Sequence, residues 1–215
     1  TVARTALWIA ENQMMQETED ILQMDLEFLP LKTNAYIVEG NALRIDWNDV
    51  VPKDKLNYIM GNPPFVGYTY QSDEQKDDLR SVASEFGKNI DYVAGWYIKA
   101  SEMMQGTSIR TALVSTNSIT QGEQVAAIWK PLYERFGVNI DFAHRTFRWD
   151  SEASDQAHVH CVIVGFSVAP NEKRRKLYYE DAIIDSENIN AYLLNAPTVF
   201  IEKAKKPISN VPEMC

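Results

Sequence analysis

The chain has 215 residues, of which 45% are hydrophobic and 24% are charged, and its formal net charge at pH 7 is −9. This composition is ordinary for a globular domain, and the length suits one large domain or two small ones. A stand-alone DNA-binding module is usually basic, so the acidic balance argues against that class. It favours a cytoplasmic enzyme domain with a solvated acidic surface.

The cysteine content and the hydropathy of the sequence further narrow the class of protein. The two cysteines, Cys161 and Cys215, indicate neither a disulfide framework nor a metal site, which suits a reducing cytoplasm. No apolar run approaches the ~18 residues of a membrane span, and no signal peptide is visible. The sequence does not start with Met and opens inside an amphipathic pattern, so we expect it to be a piece of a longer protein.

The first part of the chain is predicted to hold one long helix and two short strands. Residues 1–29 keep near-helical spacing of apolar side chains until Pro30 ends the pattern. A short β-like run follows at 36–38. The next strand, 56–60, leads directly into Asn62-Pro63-Pro64-Phe65.

Residues 66–88 are polar and their composition suggests a mobile lid. A helix is predicted from Asp73 to Glu85, and the acidic cluster at 73–78 is predicted to be a solvated lid surface. The apolar segments that follow predict helix 91–104, strand 111–116, helix 121–136 with Gly137 as its C-cap, strand 138–143, a polar and aromatic loop at 144–157, and strand 159–166.

Strands that alternate with helices indicate a parallel α/β sheet. The strands 138–143 and 159–166 have only a loop between them, whereas a parallel crossover needs a dozen or more residues, usually helical. We therefore expect these two strands to be antiparallel. Residues 169–215, with a basic run at 173–176, show no strong period and are predicted to form a connector.

The tetrapeptide Asn62-Pro63-Pro64-Phe65 contains the chemical groups needed to bind a flat molecule that carries an exocyclic amine. Two consecutive prolines fix two φ angles and bias the preceding residues towards extended geometry, which predicts a stiff loop. The Asn62 side chain and the Pro63 carbonyl supply two acceptors, and Phe65 supplies an aromatic wall. A bare Asn-Pro-Pro is only a turn signal, so its context decides.

The ends of the predicted strands hold amides, hydroxyls and aromatic rings, but no nucleophile–base pair. Ligands of open α/β sheets bind beyond these carboxyl ends. His144, His158 and His160 lie close in sequence, yet the local pattern has no third metal ligand, so we interpret them as structural and expect no metal. There is no phosphate-binding glycine-rich loop.

An amide and a proline carbonyl beside aromatic rings suit methyl transfer to a planar amine. The lone pair of such an amine is delocalised, and two acceptors that take its N–H bonds localise the pair on the face that meets an electrophile. Proximity and preorganised dipoles do the remaining work, and the proton can leave after the attack.

The motif and three sequence blocks resemble a known family. Asn62-Pro63-Pro64-Phe65 looks like the catalytic motif of S-adenosylmethionine-dependent N6-adenine DNA methyltransferases. Residues 6–14 (ALWIAENQM), 40–47 (GNALRIDW) and 142–150 (FAHRTFRWD) resemble the MmeI-like class of fused restriction–modification enzymes. The resemblance covers roughly residues 1–168, and it implies a Rossmann-like class I methyltransferase sheet, truncated at the N-terminus, with an antiparallel last strand.

The resemblance assigns roles to individual residues. Asn62, Pro63, Pro64 and Phe65 would be catalytic, with Phe65 stacking on an adenine flipped out of DNA. Phe147 would be a second base contact, with Trp149 as its rival. Asn41 and Ala42 would lie near the adenosine of S-adenosylmethionine, or Asn41 would serve only as a turn residue. The connector 169–215 would lead towards a domain that recognises the DNA sequence.

One part of the family pattern has no match. The glycine-rich loop that binds methionine, and the acidic strand end that holds the ribose, would precede residue 1. We therefore expect this stretch alone to bind S-adenosylmethionine weakly or not at all and to be inactive in isolation. We also expect the strand at 36–38 to be displaced or supported by a second copy of the chain, as a homodimer.

Two other function classes stay open from the sequence. Similar Asn-Pro-Pro loops serve methyltransferases that act on RNA or on a protein glutamine. The chain could also be a non-catalytic α/β interaction module. Acceptor assays and an Asn62→Ala variant would separate the three.

Overall fold

The computed structural model describes residues 2–24, 37–84, 86–87, 89–149, 159–169, 174–180 and 182–202. The chain divides into two compact units, Thr1–Val51 and Pro52–Cys215. In the described part, no helix is both long and apolar enough to cross a bilayer.

The N-terminal unit begins with helix α1, Val2–Leu22, whose sequence contains neither glycine nor proline. The predicted helix is confirmed to this point, and residues 25–29 lie outside the described residues. Within the described structure none of its side chains is buried, and Leu7, Met14 and Ile21 are 49%, 63% and 80% exposed. The apolar pattern therefore predicted the helix but not the burial of its apolar side.

The strand predicted at 36–38 is wrong for the two residues that are described. Ile37 and Val38 form no strand and are 46% and 54% exposed, and Tyr36 lies outside the described residues. A run this short needs a neighbouring strand to hold it, and no strand in the described structure pairs with it. A short helix α2, Trp47–Val50, follows, and Asp46 caps it by accepting from the backbone N–H of Asn48 at 2.9 Å.

The second unit is built on a mixed sheet that has six strands in the described part of the chain, in the order β1-β2-β4-β3-β5-β6. β2 runs parallel to β1, and β4 lies antiparallel between β2 and β3. β5 is parallel to β3, and β6 is antiparallel to β5. The strands are β1 Tyr58–Gly61, β2 Arg110–Thr116, β3 Asn139–Trp149, β4 Val159–Ser167, β5 Arg175–Tyr179 and β6 Ala182–Ser186.

The expected α/β class and the antiparallel pair are confirmed, but the sheet continues beyond the last strand predicted. β4 is not the last strand, because β5 and β6 extend the sheet where an irregular connector is predicted. Arg175, in the basic run, lies in β5, and its guanidinium donates to Asn188 Oδ1 at 2.8 Å. Leu177 is 2% exposed. Strands of only five residues each are too short to give a clear period in the sequence.

β3 continues six residues beyond the strand predicted at 138–143, so the loop prediction is wrong for 144–149. A register shift between His144 and Phe147 marks a β-bulge in the pairing with β4. A bulge inserts an extra residue and interrupts the two-residue alternation on which a strand prediction depends. Residues 150–158 lie outside the described residues.

One helix packs on the sheet through its Tyr97 side chain, and two further helices contact that helix. Along β2, Thr111, Leu113 and Ser115 are buried while the residues between them are half-buried, which is the two-residue period of a strand with one covered face. The Tyr97 ring stacks on Phe166 of β4 at 5.1 Å. The helices are α3 Asp73–Val82, α4 Ala94–Met103 and α5 Gly122–Phe136.

The acidic cluster at 73–78 is only partly a solvated surface. Ser72 caps α3 through a capping box with Gln75, and Asp73 is exposed as predicted. Asp78 is 2% exposed and accepts a hydrogen bond from the Tyr92 hydroxyl at 2.7 Å. The prediction of a solvated side chain is therefore wrong for Asp78, which fastens α3 to the residues just before α4.

Candidate functional site

The Asn-Pro-Pro-Phe loop leaves the sheet at the end of β1, as predicted. The last residue of β1, Gly61, pairs with Leu113 in the middle of β2. Asn62 is exposed and Phe65 is half-buried. In the described part of the chain the Asn62 side chain makes no hydrogen bond, so its amide is available to a ligand. Pro63 is buried, which fixes the loop to the body of the unit.

Backbone contacts hold the residues that follow Phe65. The carbonyl of Val66 accepts from the backbone N–H of Tyr92 at 2.9 Å. Two residues later, the backbone N–H of Tyr68 donates to Asp91 Oδ1 at 3.0 Å. The loop is therefore tied at two points to the turn that opens α4.

The same aspartate reaches the end of the neighbouring strand. The Ser118 hydroxyl donates to Asp91 Oδ2 at 2.6 Å, and its oxygen lies 2.8 Å from Thr116 Oγ1. Asp91 is 6% exposed. Sequence analysis predicted Asp91 only as the first residue of the helix 91–104. The sequence signal that could have identified the role of Asp91 is its position three residues before the start of α4.

A buried tyrosine supports the end of β2 from the other side. The Tyr97 hydroxyl lies 2.8 Å from Ser115 Oγ. Burial raises the pKa of Tyr97 well above its usual range, with the Ser115 hydrogen bond opposing this in part. The phenol therefore stays neutral and acts as a structural hydrogen-bonding group.

Phe147 lies on β3, not in a loop as predicted. Its register partner in β4 is Cys161, which in turn pairs with Thr116 of β2. Since β3 runs in the same direction as β2, Phe147 and Thr116 are at the same level of the sheet, at the edge where the Asn62 loop leaves. One strand separates β2 from β3, which places these two residues about 10 Å apart.

Neighbouring rings hold Phe147 in place. Phe147 is half-buried, and the His144 ring meets it edge-on at 4.9 Å. His144 in turn stacks on Tyr178 of β5, with 6.3 Å between ring centroids and 5° between planes. Sequence reasoning missed this contribution of β5, because residues 169–215 gave no strand signal. The side chain of Trp149, the rival of Phe147, lies outside the described residues.

The predicted cofactor residues form a compact turn in the N-terminal unit. Asn41 Oδ1 accepts from the backbone N–H of Leu43 at 2.9 Å, which is an Asx-turn. The carbonyl of Ala42 accepts from the Trp47 indole at 2.8 Å. The turn alternative for Asn41 thus has a direct counterpart in the structure, while its contact with a cofactor stays a prediction.

The remaining features are a cavity, the absence of a metal-binding cluster among the described residues, and a buried cysteine. A cavity of about 680 Å³ opens beside Tyr68, Gln124 and Ile201. Among the described residues, no group of three or more His, Cys, Asp or Glu side chains is arranged to hold a metal ion. Burial raises the pKa of the Cys161 thiol, so this buried cysteine is a poor nucleophile. His158 and Cys215 lie outside the described residues.

Comparisons with known proteins agree with the resemblance. Residues 1–179 match the family described as "MmeI, DNA-methyltransferase domain". "DNA methyltransferase A" of Bacillus subtilis (strain 168) is 35% identical over 218 residues, which cover 99% of this chain and 25% of that protein. The solved structure of the Type IIL restriction-modification enzyme MmeI in complex with DNA shares 43% identity at a TM-score of 0.84, over 96% of this chain and 29% of that one.

The chain thus spans between a quarter and a third of the length of these two relatives. The family match covers residues 1–179 and includes the Asn62 loop, Asp91, Ser118 and Phe147. The resemblance to the MmeI-like class is confirmed by these matches. The chain belongs to the MmeI DNA-methyltransferase domain family.

Proposed function

We propose that this domain transfers a methyl group from S-adenosylmethionine to the N6 amine of adenine in DNA, as the methyltransferase part of a restriction–modification enzyme. The observation that carries the proposal is the Asn62 loop itself. It leaves the carboxyl edge of the sheet with an exposed amide that has no partner in the described structure, beside a half-buried Phe65. Family membership supports DNA as the substrate, since both relatives are named for DNA methylation or restriction–modification.

The chemistry of the loop suits an aromatic amine. Asn62 Oδ1 and the Pro63 carbonyl accept the two N–H bonds of the amine, which localises its lone pair. Phe65 and Phe147 supply faces for a base taken out of the helix. Fixed acceptors cost no reorganisation as the nitrogen gains charge in the transition state. The proton leaves after transfer, so the loop needs no general base.

The described residues fit the acceptor side of the reaction better than the cofactor side. For S-adenosylmethionine they offer the turn at Asn41 and Ala42, where Asn41 Oδ1 and the Ala42 carbonyl each already accept a hydrogen bond. When bound, the cofactor supplies an electrophilic methyl group on a sulfonium. We infer that residues 1–215 alone bind it weakly or not at all. Isothermal titration tests this, and micromolar affinity would contradict it.

Three further elements of the proposal concern the whole protein. The full-length protein binds DNA. Residues 169–215 lead towards a domain that recognises the DNA sequence. Residues 1–215 can form a homodimer. Size-exclusion chromatography with light scattering tests the last of these. A monomer at all concentrations would exclude it.

The central experiment compares two asparagines at opposite ends of β1. In the full-length protein, Asn62→Ala is expected to abolish the transfer of tritiated methyl groups to DNA while leaving the circular dichroism spectrum unchanged. Asn57→Ala is the matched control, because Asn57 is also exposed but precedes β1. Enzymatic digestion of the product to nucleosides would identify N6-methyladenine. Full activity in Asn62→Ala, or a methylated cytosine, would contradict the proposal.

A further inference from the structure

We propose that Asp91 is a positioning residue for methyl transfer, which sets the geometry of the Asn62 loop through hydrogen bonds. This inference rests on the proposed function. Asp91 is 6% exposed, and its carboxylate connects three separate segments: the loop after Phe65, the end of β2 and the turn that opens α4.

Each oxygen of this carboxylate has its own partner. Oδ1 accepts from the backbone N–H of Tyr68 at 3.0 Å, and Oδ2 accepts from the Ser118 hydroxyl at 2.6 Å. A hydrogen bond to a carboxylate is roughly twice as strong as one between neutral groups. Asp91 thus fixes the loop and the neighbouring strand end relative to each other.

The backbone of Asp91 is itself held rigidly. Its N–H donates to Gln124 Oε1 at 3.0 Å, while the Gln124 amide donates to the carbonyl of Asn89 at 2.6 Å. The carbonyl of Asp91 accepts from the N–H of Ala94 at 2.9 Å. The carboxylate is therefore presented from a fixed turn, supported by α5 through Gln124.

Rigidity of the loop matters because the reaction has no general base in this scheme and depends on geometry. Tyr68 follows Phe65 by three residues and Asn62 by six, so a shift of the backbone at Tyr68 displaces Phe65 and Asn62 as well. A misplacement of about 1 Å at reacting groups can cost roughly 100-fold in rate. Asp91 therefore does not need to touch the substrate in order to control the positions of Asn62 and Phe65 relative to the target base.

The chain offers a matched control in Asp141. This residue is also buried, at 7% exposure, and its carboxylate lies 3.5 Å from Arg110 Nη1. Arg110 is the first residue of β2 and Asp141 lies near the start of β3, at the end of the sheet opposite to Asn62. Replacing Asp141 removes a buried carboxylate without disturbing the loop.

The experiment measures kcat, the KM for DNA and thermal unfolding of the full-length protein. Asp91→Ala is expected to lower kcat by at least about tenfold, with little change in KM and a loss in Tm no larger than that of Asp141→Ala. Asp91→Asn is expected to restore kcat to within about threefold, because an amide can accept from Tyr68 and donate to Ser118. Equal kcat values in Asp91→Ala and Asp141→Ala would overturn the proposal, as would an Asp91→Asn variant that folds but is as slow as Asp91→Ala.

A second readout does not depend on activity. Hydrogen exchange of the peptide spanning 62–70 is expected to accelerate in Asp91→Ala and to stay at the wild-type rate in Asp141→Ala. If Asp91→Ala does not fold, Ser118→Ala removes one of the two bonds and is expected to give smaller changes in the same direction. Unchanged exchange in the variants that fold would refute the positioning role. Failure of the proposed function would appear separately, as full activity in Asn62→Ala.

Discussion

The ring of Phe142 on β3 lies across Gly165 on the adjoining strand β4. The two residues are register partners, and a Cβ added to Gly165 would come within 2.0 Å of the ring. The ring also meets Tyr178 of β5 edge-on at 6.5 Å. A glycine at this position therefore makes room for an aromatic side chain that links three strands.

This relationship predicts that Gly165→Ala is destabilising. The methyl group cannot enter without moving the Phe142 ring, and overpacking of this kind typically costs about 1–3 kcal/mol. Urea denaturation followed by circular dichroism measures the loss. The matched test is the same substitution in a Phe142→Ala background, where the clash is absent and the cost of Gly165→Ala should fall below about 1 kcal/mol. Equal costs in both backgrounds would contradict the account.

The parts of the fold that could be predicted from sequence are those with strong local signals. Strand 111–116 was placed to within one residue of β2, because it combines the apolar run 112–114 with the β-branched residues Thr111 and Thr116. The C-cap at Gly137 follows from a residue that adopts φ +67° at the end of α5. The stiff loop at Asn62 follows from two consecutive prolines, whose effect on the backbone is local.

The parts that could not be predicted depend on contacts between distant segments. The bulge between His144 and Phe147 exists only in the pairing with β4, so the sequence suggested a loop. β5 pairs with β3 across a gap of more than 25 residues in sequence, and its alternation is too brief to detect. The role of Asp91 depends on Tyr68 and Ser118, which are 23 and 27 residues away.

Aromatic substitutions test the two proposed base contacts. Phe65→Ala and Phe147→Ala are each expected to lower kcat/KM for DNA by about 5- to 150-fold, since stacking of a base on an aromatic ring contributes roughly 1–3 kcal/mol. Phe65→Tyr, which keeps the ring, should retain most of the activity. The control is Tyr70→Ala, which removes an aromatic ring that is 85% exposed and close to the loop in sequence, and it is expected to keep the wild-type kcat/KM.

The outcome of this series separates stacking from packing. If the rings act by stacking, fluorescence of 2-aminopurine at the target position should rise on binding to the wild type and to Tyr70→Ala, and rise less with Phe65→Ala. If Phe147→Ala loses stability but keeps its kcat/KM, Phe147 is a core residue that packs against His144, and its proposed contact with the base is wrong.

Gly137 gives a prediction about backbone strain alone. Its φ and ψ are +67° and +33°, and a Cβ there would meet nothing within 4 Å. Gly137→Ala is therefore expected to cost about 1 kcal/mol purely from the left-handed conformation, and Gly137→Asn should cost less. Gly67→Ala is the control, because Gly67 has φ −63° and ordinary contacts at its Cβ position. Denaturant unfolding that shows equal costs at the two glycines would refute this explanation.

Tyr133 on α5 predicts how stability falls at alkaline pH. Burial raises the pKa of Tyr133 from 10.0 to about 12 in the folded protein. The stabilising contribution of the neutral phenol is fully present below pH 10, and it is lost as the pH rises through 12 because the unfolded state releases its proton first. Tyr133→Phe removes this contribution, so the variant should lose about 1–3 kcal/mol less stability than the wild type between pH 9 and 12. Urea unfolding across this range measures the difference, with Tyr70→Phe as a control expected to follow the wild-type curve. Parallel curves for the wild type and Tyr133→Phe would show that the buried hydroxyl does not set the alkaline limit.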